Sequence, residues 1–338
     1  MAFPSSITDI VATTIESRSR KIADNVLKNN ALLARLNERG NVKTISGGSQ
    51  ILEELSFAEN GNGGAYSGYD LLPVSAQDVI SAATYQIKQY AVPVVISGLE
   101  QIQNSGREAM IDLLESRVAV AEATMSNLLS QGVYGDGTAF GGKAITGLDL
   151  AVPATATASQ TTAYGGITPA TTGITSFWRA YVESALTFPT NDGTAVTHIQ
   201  KYLNRFWSNL VRGSDSPDLI VMDNNYWKEF MYSLQAIQRF TTSDTAKLGF
   251  PSQKYMTADV VLDGGIGGYA YSASTTGGTA YFLNTKYLKW RPHKDRNMVS
   301  LSPNRRYAVN QDAEVQILAW AGNLTCSGRK FQGRAFTT

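Results

Sequence analysis

Lys43–Ser97 reads KTISGGSQILEELSFAENGNGGAYSGYDLLPVSAQDVISAATYQIKQYAVPVVIS, and Ser105–Gln131, which follows it, reads SGREAMIDLLESRVAVAEATMSNLLSQ. The first stretch alternates apolar and polar residues through Ile45, Ile51, Leu55 and Phe57, then enters a tip holding Gly61, Gly63, Gly64 and Gly68 beside Asn60 and Asn62. Its returning limb, Val79 to Ile96, is dense in β-branched and aromatic side chains, so the pattern predicts a long paired ribbon. A finger of about 55 residues is far longer than the connections that close ordinary hairpins. Nothing in it has the composition of an active site.

The second stretch is the best-signposted helix. Ser105 stands three residues before Glu108, the spacing of a capping box. Met110, Leu114, Val118, Ala121, Met125 and Leu128 then recur at intervals of three and four, and Gly132 is the expected stop. At about 1.5 Å per residue such a helix is ~40 Å long, enough to cross a whole domain.

Working outward, residues 16–39 carry helical spacing through Ile22, Val26, Leu32, Leu33 and Leu36, with Gly40 as a stop and Asn29–Asn30 as a candidate break. After Gly132 comes a loop with Gly135, Gly137, Gly141 and Gly142, then GLDLAV and the low-complexity run PATATASQTTAYGG, expected to be an exposed loop. Helical patterns follow at 174–187 and 197–212. PDLIVMD then reads as a short buried strand, with Asp223 placed to cap a helix over NNYWKEFMYSLQAIQRF. The remainder is strand-rich, at Val260–Leu262, Tyr281–Leu283, Tyr287–Trp290, Met298–Leu301 and Ala313–Leu324. Together these elements make an α+β protein.

At 338 residues, 43% hydrophobic and 17% charged, the chain has ample material for a core and a thinly charged exterior. A net charge of +1 argues against bulk grip on nucleic acid. The distribution is more telling than the sum. Residues 41–100 carry two basic side chains against six acidic ones, whereas 286–338 carry ten basic against three acidic. Opposite signs on distant segments are expected of surfaces that dock, within or between subunits. The candidate intersubunit contacts are therefore Glu53, Glu54, Glu59, Tyr66, Tyr69 and Asp70 on the finger, and Arg291, Arg296, Arg305 and Arg306 on the basic segment. One cysteine, Cys326, excludes an intrachain disulfide, and no apolar run approaches the ~18 residues of a membrane span.

Chemistry is hard to place. GTAFGGKA, Gly137–Ala144, has the glycine and lysine spacing of a phosphate loop, but Ala144 stands where Ser or Thr would hold Mg²⁺, and a helix rather than a strand precedes it. The two histidines, His198 and His293, lack a second ligand at HxxH or HExxH spacing, and no GxSxG elbow occurs. Glu53 and Glu54 are adjacent, so a strand points them to opposite sides. No catalytic residue, metal ligand or cofactor site is expected. KWRPHKDR, Lys289–Arg296, is basic enough to touch phosphate, although such runs are usually solvated.

In order, the parts are a helical arm, a long β finger, a long helix within NSGREAMIDLLESRVAVAEATMSNLLSQGVYGDGT, a GLDLAV turn, and an α/β module with PDLIVMDNNYWKEF. This order resembles the major capsid proteins of tailed bacteriophages, of the Hong Kong 97 type fold. The resemblance implies an N-terminal arm at 1–40, an E-loop at 41–97, a P-domain at 98–149 with its spine helix at 105–131, an A-domain at 150–305, and a return to the P-domain at 306–338. It further implies self-assembly into hexamers and pentamers of an icosahedral head around viral DNA. The partners implied are a separate scaffolding protein, a portal and cement proteins, with assembly in the host cytoplasm. Some relatives crosslink through an E-loop lysine, for which Lys43 and Lys88 are the candidates here. Three other readings stay open: an encapsulin-like compartment on the same fold, a decoration or tail component, and a nucleotide-binding enzyme using the glycine loop near Lys143.

Overall fold

The computed structural model describes residues 30–99, 107–170, 172–184, 199–235, 252–263, 278–301, 306–307 and 313–337. Within them α1 spans Ala31–Glu38, and Asn30 is its cap: the side-chain oxygen accepts from Leu32 N at 3.0 Å and Leu33 N at 3.2 Å. Asn30 thus caps a helix, because an Asn oxygen satisfies free N–H groups at a helix entrance better than it sits mid-helix. Leu32, Leu33 and Leu36 are buried, and Gly40 leaves the helix at a φ of 70°. Residues 16–29 lie outside the described residues.

The finger begins as β1, Gln50–Ser56, paired antiparallel with β2, Ile80–Gln86, in register from Gln50↔Gln86 to Ser56↔Ile80. Residues 57–79 between them form the tip. The returning limb divides at Ile87. Its second half, β3 at Lys88–Ser97, leaves the ribbon and pairs along its whole length with β11, Ala313–Cys326. The paired ribbon is therefore shorter than the alternation predicts, since a β-branched run fits a body sheet as well as a hairpin.

On its other edge β11 pairs with β9, Leu288–Ser300, and with β10, Arg306–Tyr307. Gly322 is required where β9 crosses, because a Cβ there would lie 2.4 Å from the Arg291 carbonyl oxygen. Helix α2, Arg107–Tyr134, packs beside β3 and buries Val118, Ala121, Met125, Leu129 and Val133. Ser105, the expected cap, lies outside the described residues. The expected stop is corrected: the helix runs through Gly132 to Tyr134. Gly132 serves close packing, since a Cβ there would meet the Tyr90 hydroxyl at 2.9 Å and Ile145 at 3.2 Å.

The second sheet has the order β4-β12-β8-β5-β7-β6. Its strands are β4 Tyr181–Ser184, β5 Leu219–Met222, β6 Ser252–Tyr255, β7 Ala258–Leu262, β8 Gly278–Leu283 and β12 Gly333–Thr337. Alternation divides its residues between two cores. Ile220, Met222, Val260 and Phe282 pack with helices α3, Ile199–Leu210, and α4, Asn224–Gln235. Leu219, Val221, Tyr281 and Leu283 join the main core with α2 and the first sheet. Asp223 caps α4 as expected, taking Tyr226 N at 2.9 Å on one oxygen and tying β8 through Thr279 N at 2.8 Å on the other.

One local expectation is overturned. Residues 174–177 form a single 3₁₀ turn and the chain then enters β4, parallel to β12. Side chains from outside the segment hold it out of a helix: Gln160 accepts from Ala180 N at 3.1 Å and donates to Ala180 O at 2.9 Å. The low-complexity run is largely exposed, as expected, but anchored to the body at two points, Gln160 and Tyr164, which are buried. The strand pairings also cross the expected segment bounds. β9, inside 150–305, pairs with β11, and β12, inside 306–338, lies between β4 and β8.

Candidate assembly surface

At the finger root the ribbon presents Ile51, Glu53, Leu55, Ala83 and Tyr85 to the body, because alternate residues of paired strands share a face. Glu53, 2% exposed, accepts four donors' hydrogen bonds within its own chain. Oε1 takes Arg291 Nε at 2.8 Å, Arg291 Nη2 at 2.6 Å and Thr325 Oγ1 at 2.9 Å, and Oε2 takes Lys289 Nζ at 2.6 Å. Burial alone would raise this carboxyl's pKa. The bonds from Lys289 and Arg291 and the Arg291 charge outweigh burial and hold it below the ordinary value. Glu53 and Arg291 therefore meet each other inside one chain, a correction to their expected place in an intersubunit contact.

β2 is pinned beside them. The Tyr85 hydroxyl donates to Cys326 O at 2.7 Å and accepts from Cys326 N at 3.2 Å, and Asn323 Nδ2 donates to Gln86 O at 2.8 Å. Behind this lies Arg329, fully buried, whose guanidinium donates to the carbonyls of Ala151, Trp178 and Leu150 at 2.7, 3.3 and 3.3 Å. Burial lowers its pKa. The docked loop meets the ribbon's other edge through Thr84 N, which donates to Gly165 O at 2.9 Å.

Beyond Ser56 the character of the finger changes. Tyr66, Tyr69, Leu71, Leu72 and Val74 are all exposed, Leu71 at 99% and Val74 at 90%. Glu59, Asp70 and Asp78 are exposed among them, as is Glu54 on the outer face of β1, and Asp70 closes a small turn by accepting from Ser67 N at 2.8 Å. Tyr66 and Tyr69 were legible as candidates. Leu71, Leu72 and Val74 were missed, although a leucine pair in a glycine-rich tip with no periodic partner is itself a signal. An apolar patch of this kind on an extended element marks an interaction site.

A second surface faces away from the core along α2. Val92, Pro93, Val94 and Val95 of β3 and Ser116, Arg117, Val120, Ala121 and Thr124 of α2 line a groove of about 370 Å³. Arg117 donates to Val95 O at its edge. Ala119, Val120, Ala123 and Thr124 are exposed on the helix, so its outward face carries little charge over this length. A helix apolar on opposite sides is normally covered on both.

The remaining expected residues are scattered. Arg296 is exposed and donates to Gln89 Oε1 at 3.2 Å. Arg306 belongs to β10, and Arg305 lies outside the described residues, as does His198. His293 Nδ1 accepts from Asp295 N at 3.2 Å. Lys143 is exposed on a loop that follows α2, so the strand–loop–helix setting of a phosphate cradle is missing there. Among the described residues no group of three or more His, Cys, Asp or Glu side chains is placed to hold a metal, and no helix is long and apolar enough to cross a membrane.

No family profile matches the sequence, and no curated protein does. Solved structures do match across nearly the whole chain. The capsid asymmetric unit of cyanophage A-1(L) superposes with a TM-score of 0.61 at 18% identity, covering 88% of this chain and 89% of that one. The capsid of a native GTA particle gives 0.53 at 13% identity, with 89% of each chain covered. The capsid of Myoviridae phage XM1 gives 0.50 at 14% identity, covering 90% and 92%. At such identities the likeness is one of architecture, and in architecture this chain has the Hong Kong 97 type fold of phage capsids.

Proposed function

We propose that this chain is the major capsid protein of a tailed bacteriophage. It acts structurally rather than as an enzyme, forming hexamers and pentamers that close into an icosahedral head around viral DNA. The observation that carries the reading is the finger tip. Tyr66, Tyr69, Leu71, Leu72 and Val74 stand in solvent on an element that cannot bury them within its own subunit. Laid over an adjacent copy they leave water, and the thinly charged groove between β3 and α2 offers a matching surface. The acidic side chains that remain exposed on the finger favour a basic or neutral landing site on that neighbour. Contacts of this head-to-tail kind close into rings when the rotation permits, and rings close into shells.

The proposed segment roles are 1–40 as arm, 41–97 as finger, 98–149 with the spine helix α2, 150–305 as the axial module and 306–338 as the return, with β9 and β12 exchanged between the last two by their pairings. The proposed partners are further copies of the chain, a separate scaffolding protein, a portal, cement proteins, and DNA held without sequence specificity on the inner face. Assembly is proposed to occur in the host cytoplasm. Negative-stain microscopy of the expressed protein tests the reading. Closed shells of uniform size are the expected result, and open tubes or persistent monomers would overturn it.

A further inference from the structure

The finger is attached to the body by two kinds of contact with different tolerance for movement. Ile51, Leu55 and Ala83 are apolar, and apolar contact is non-directional: a tilt of the ribbon costs it little so long as the area stays covered. The polar contacts accept one geometry. Tyr85 and Gln86 fix a pivot at the base of β2 through Cys326 and Asn323. Glu53 lies opposite Ala83, further out along the ribbon from that pivot, and its donors come from two different strands of the body, Lys289 and Arg291 from β9 and Thr325 from β11. Thr84 N is tied to Gly165 O beside the pivot, and Glu53, one residue pair further out, is the outermost of these polar anchors; a fixed point beyond a pivot defines a direction. A buried ion cluster is also a poor way to gain stability, because desolvation offsets most of its Coulomb energy, whereas it does select one arrangement among several of similar apolar contact.

We propose that Glu53 is a positioning residue that sets the angle at which the finger leaves its subunit, and that its burial serves orientation rather than stability. The claim concerns the isolated chain and stands whether or not the chain builds a shell. It separates two quantities that an ordinary structural ion pair would move together.

The test uses the full chain, unassembled, with Ser81→Cys on the exposed face of β2 and Asn127→Cys on the exposed face of α2 carrying spin labels. Cys326 is buried and stays unlabelled. The distance distribution is read by pulsed electron resonance, and thermal unfolding is followed in parallel. In the triple variant Glu53→Leu, Lys289→Met, Arg291→Met the cluster becomes apolar. The expected result is a Tm close to that of the parent with a distribution at least twice as wide. Leu55→Ala, which removes apolar packing from the same face, is expected to lower the Tm and leave the width unchanged. Glu53→Gln, which keeps the volume and is the variant to use if the triple variant does not fold, is expected to broaden the distribution as well. A narrow distribution in either Glu53 variant, or broadening in Leu55→Ala equal to that in Glu53→Gln, would overturn the proposal.

Discussion

Glu53, buried, and Asp263, half-buried, illustrate how two carboxylates of one fold shift their pKa in opposite directions. Removing one partner from a buried ion pair leaves the others uncompensated, so Glu53→Ala is expected to cost about 3–5 kcal/mol in denaturant unfolding. Because the folded Glu53 pKa is depressed, its contribution is present above the unfolded carboxyl pKa and lost as pH falls through the folded value. The stability gap between the parent and Glu53→Gln should therefore shrink on acidification. Asp263 accepts the Tyr134 hydroxyl at 2.7 Å, and burial raises its pKa despite that bond. Its ionised form is the costly one, with stability lost as pH rises through the raised value. Asp263→Asn is expected to raise the Tm at neutral pH, a gain that disappears in acid. Gly132→Ala sets helix propensity against packing: Ala is favoured by about 1 kcal/mol in a helix, but its Cβ would meet the Tyr90 hydroxyl at 2.9 Å. Overpacking costs of about 1–3 kcal/mol should prevail, giving a net loss measurable by calorimetry.

Among the elements, the finger tip and the ribbon root answer to different tests. Leu71→Asp with Leu72→Asp alters only exposed side chains, so subunit stability should stay within about 0.5 kcal/mol of the parent. Sedimentation should nevertheless show the loss of assembled material, and shells forming at the parent's yield would remove the tip from the proposed interface. The elements legible in sequence were those fixed by their own residues. α3 carries its period within its own residues, and the β5–Asp223–α4 unit its period and cap within a few positions. β4 reads as helix in the sequence because what holds it extended, pairing with β12 and the Thr157 hydroxyl that accepts from Val182 N, lies far from it in the chain. The returning limb was read as one strand because composition does not say which partner each half takes. Of the candidate contacts, the exposure of Tyr66, Tyr69 and the outer carboxylates followed from their polar, glycine-rich surroundings. The burial of Glu53 was not legible, since it depends on cations more than 230 residues away.

For the molecule as a whole, connectivity was the least visible property, and it has a consequence in time. β3 is completed only by β11, and β12 fills the gap between β4 and β8. Both sheets thus wait for residues 313–337, however early their first strands are synthesised. A chain stopped after Gly328 keeps β11 and lacks β12, leaving β4 without its strand partner and β8 open on one side; it is expected to be insoluble, and full solubility would contradict this order of events. While the ribosome is still working, the finger has no finished body to lean on: its Glu53 site is missing Lys289, Arg291 and Thr325. The finger therefore reaches its seat on the body only when the last strands of the subunit have been made, and the direction in which it points is among the last features of the chain to be decided.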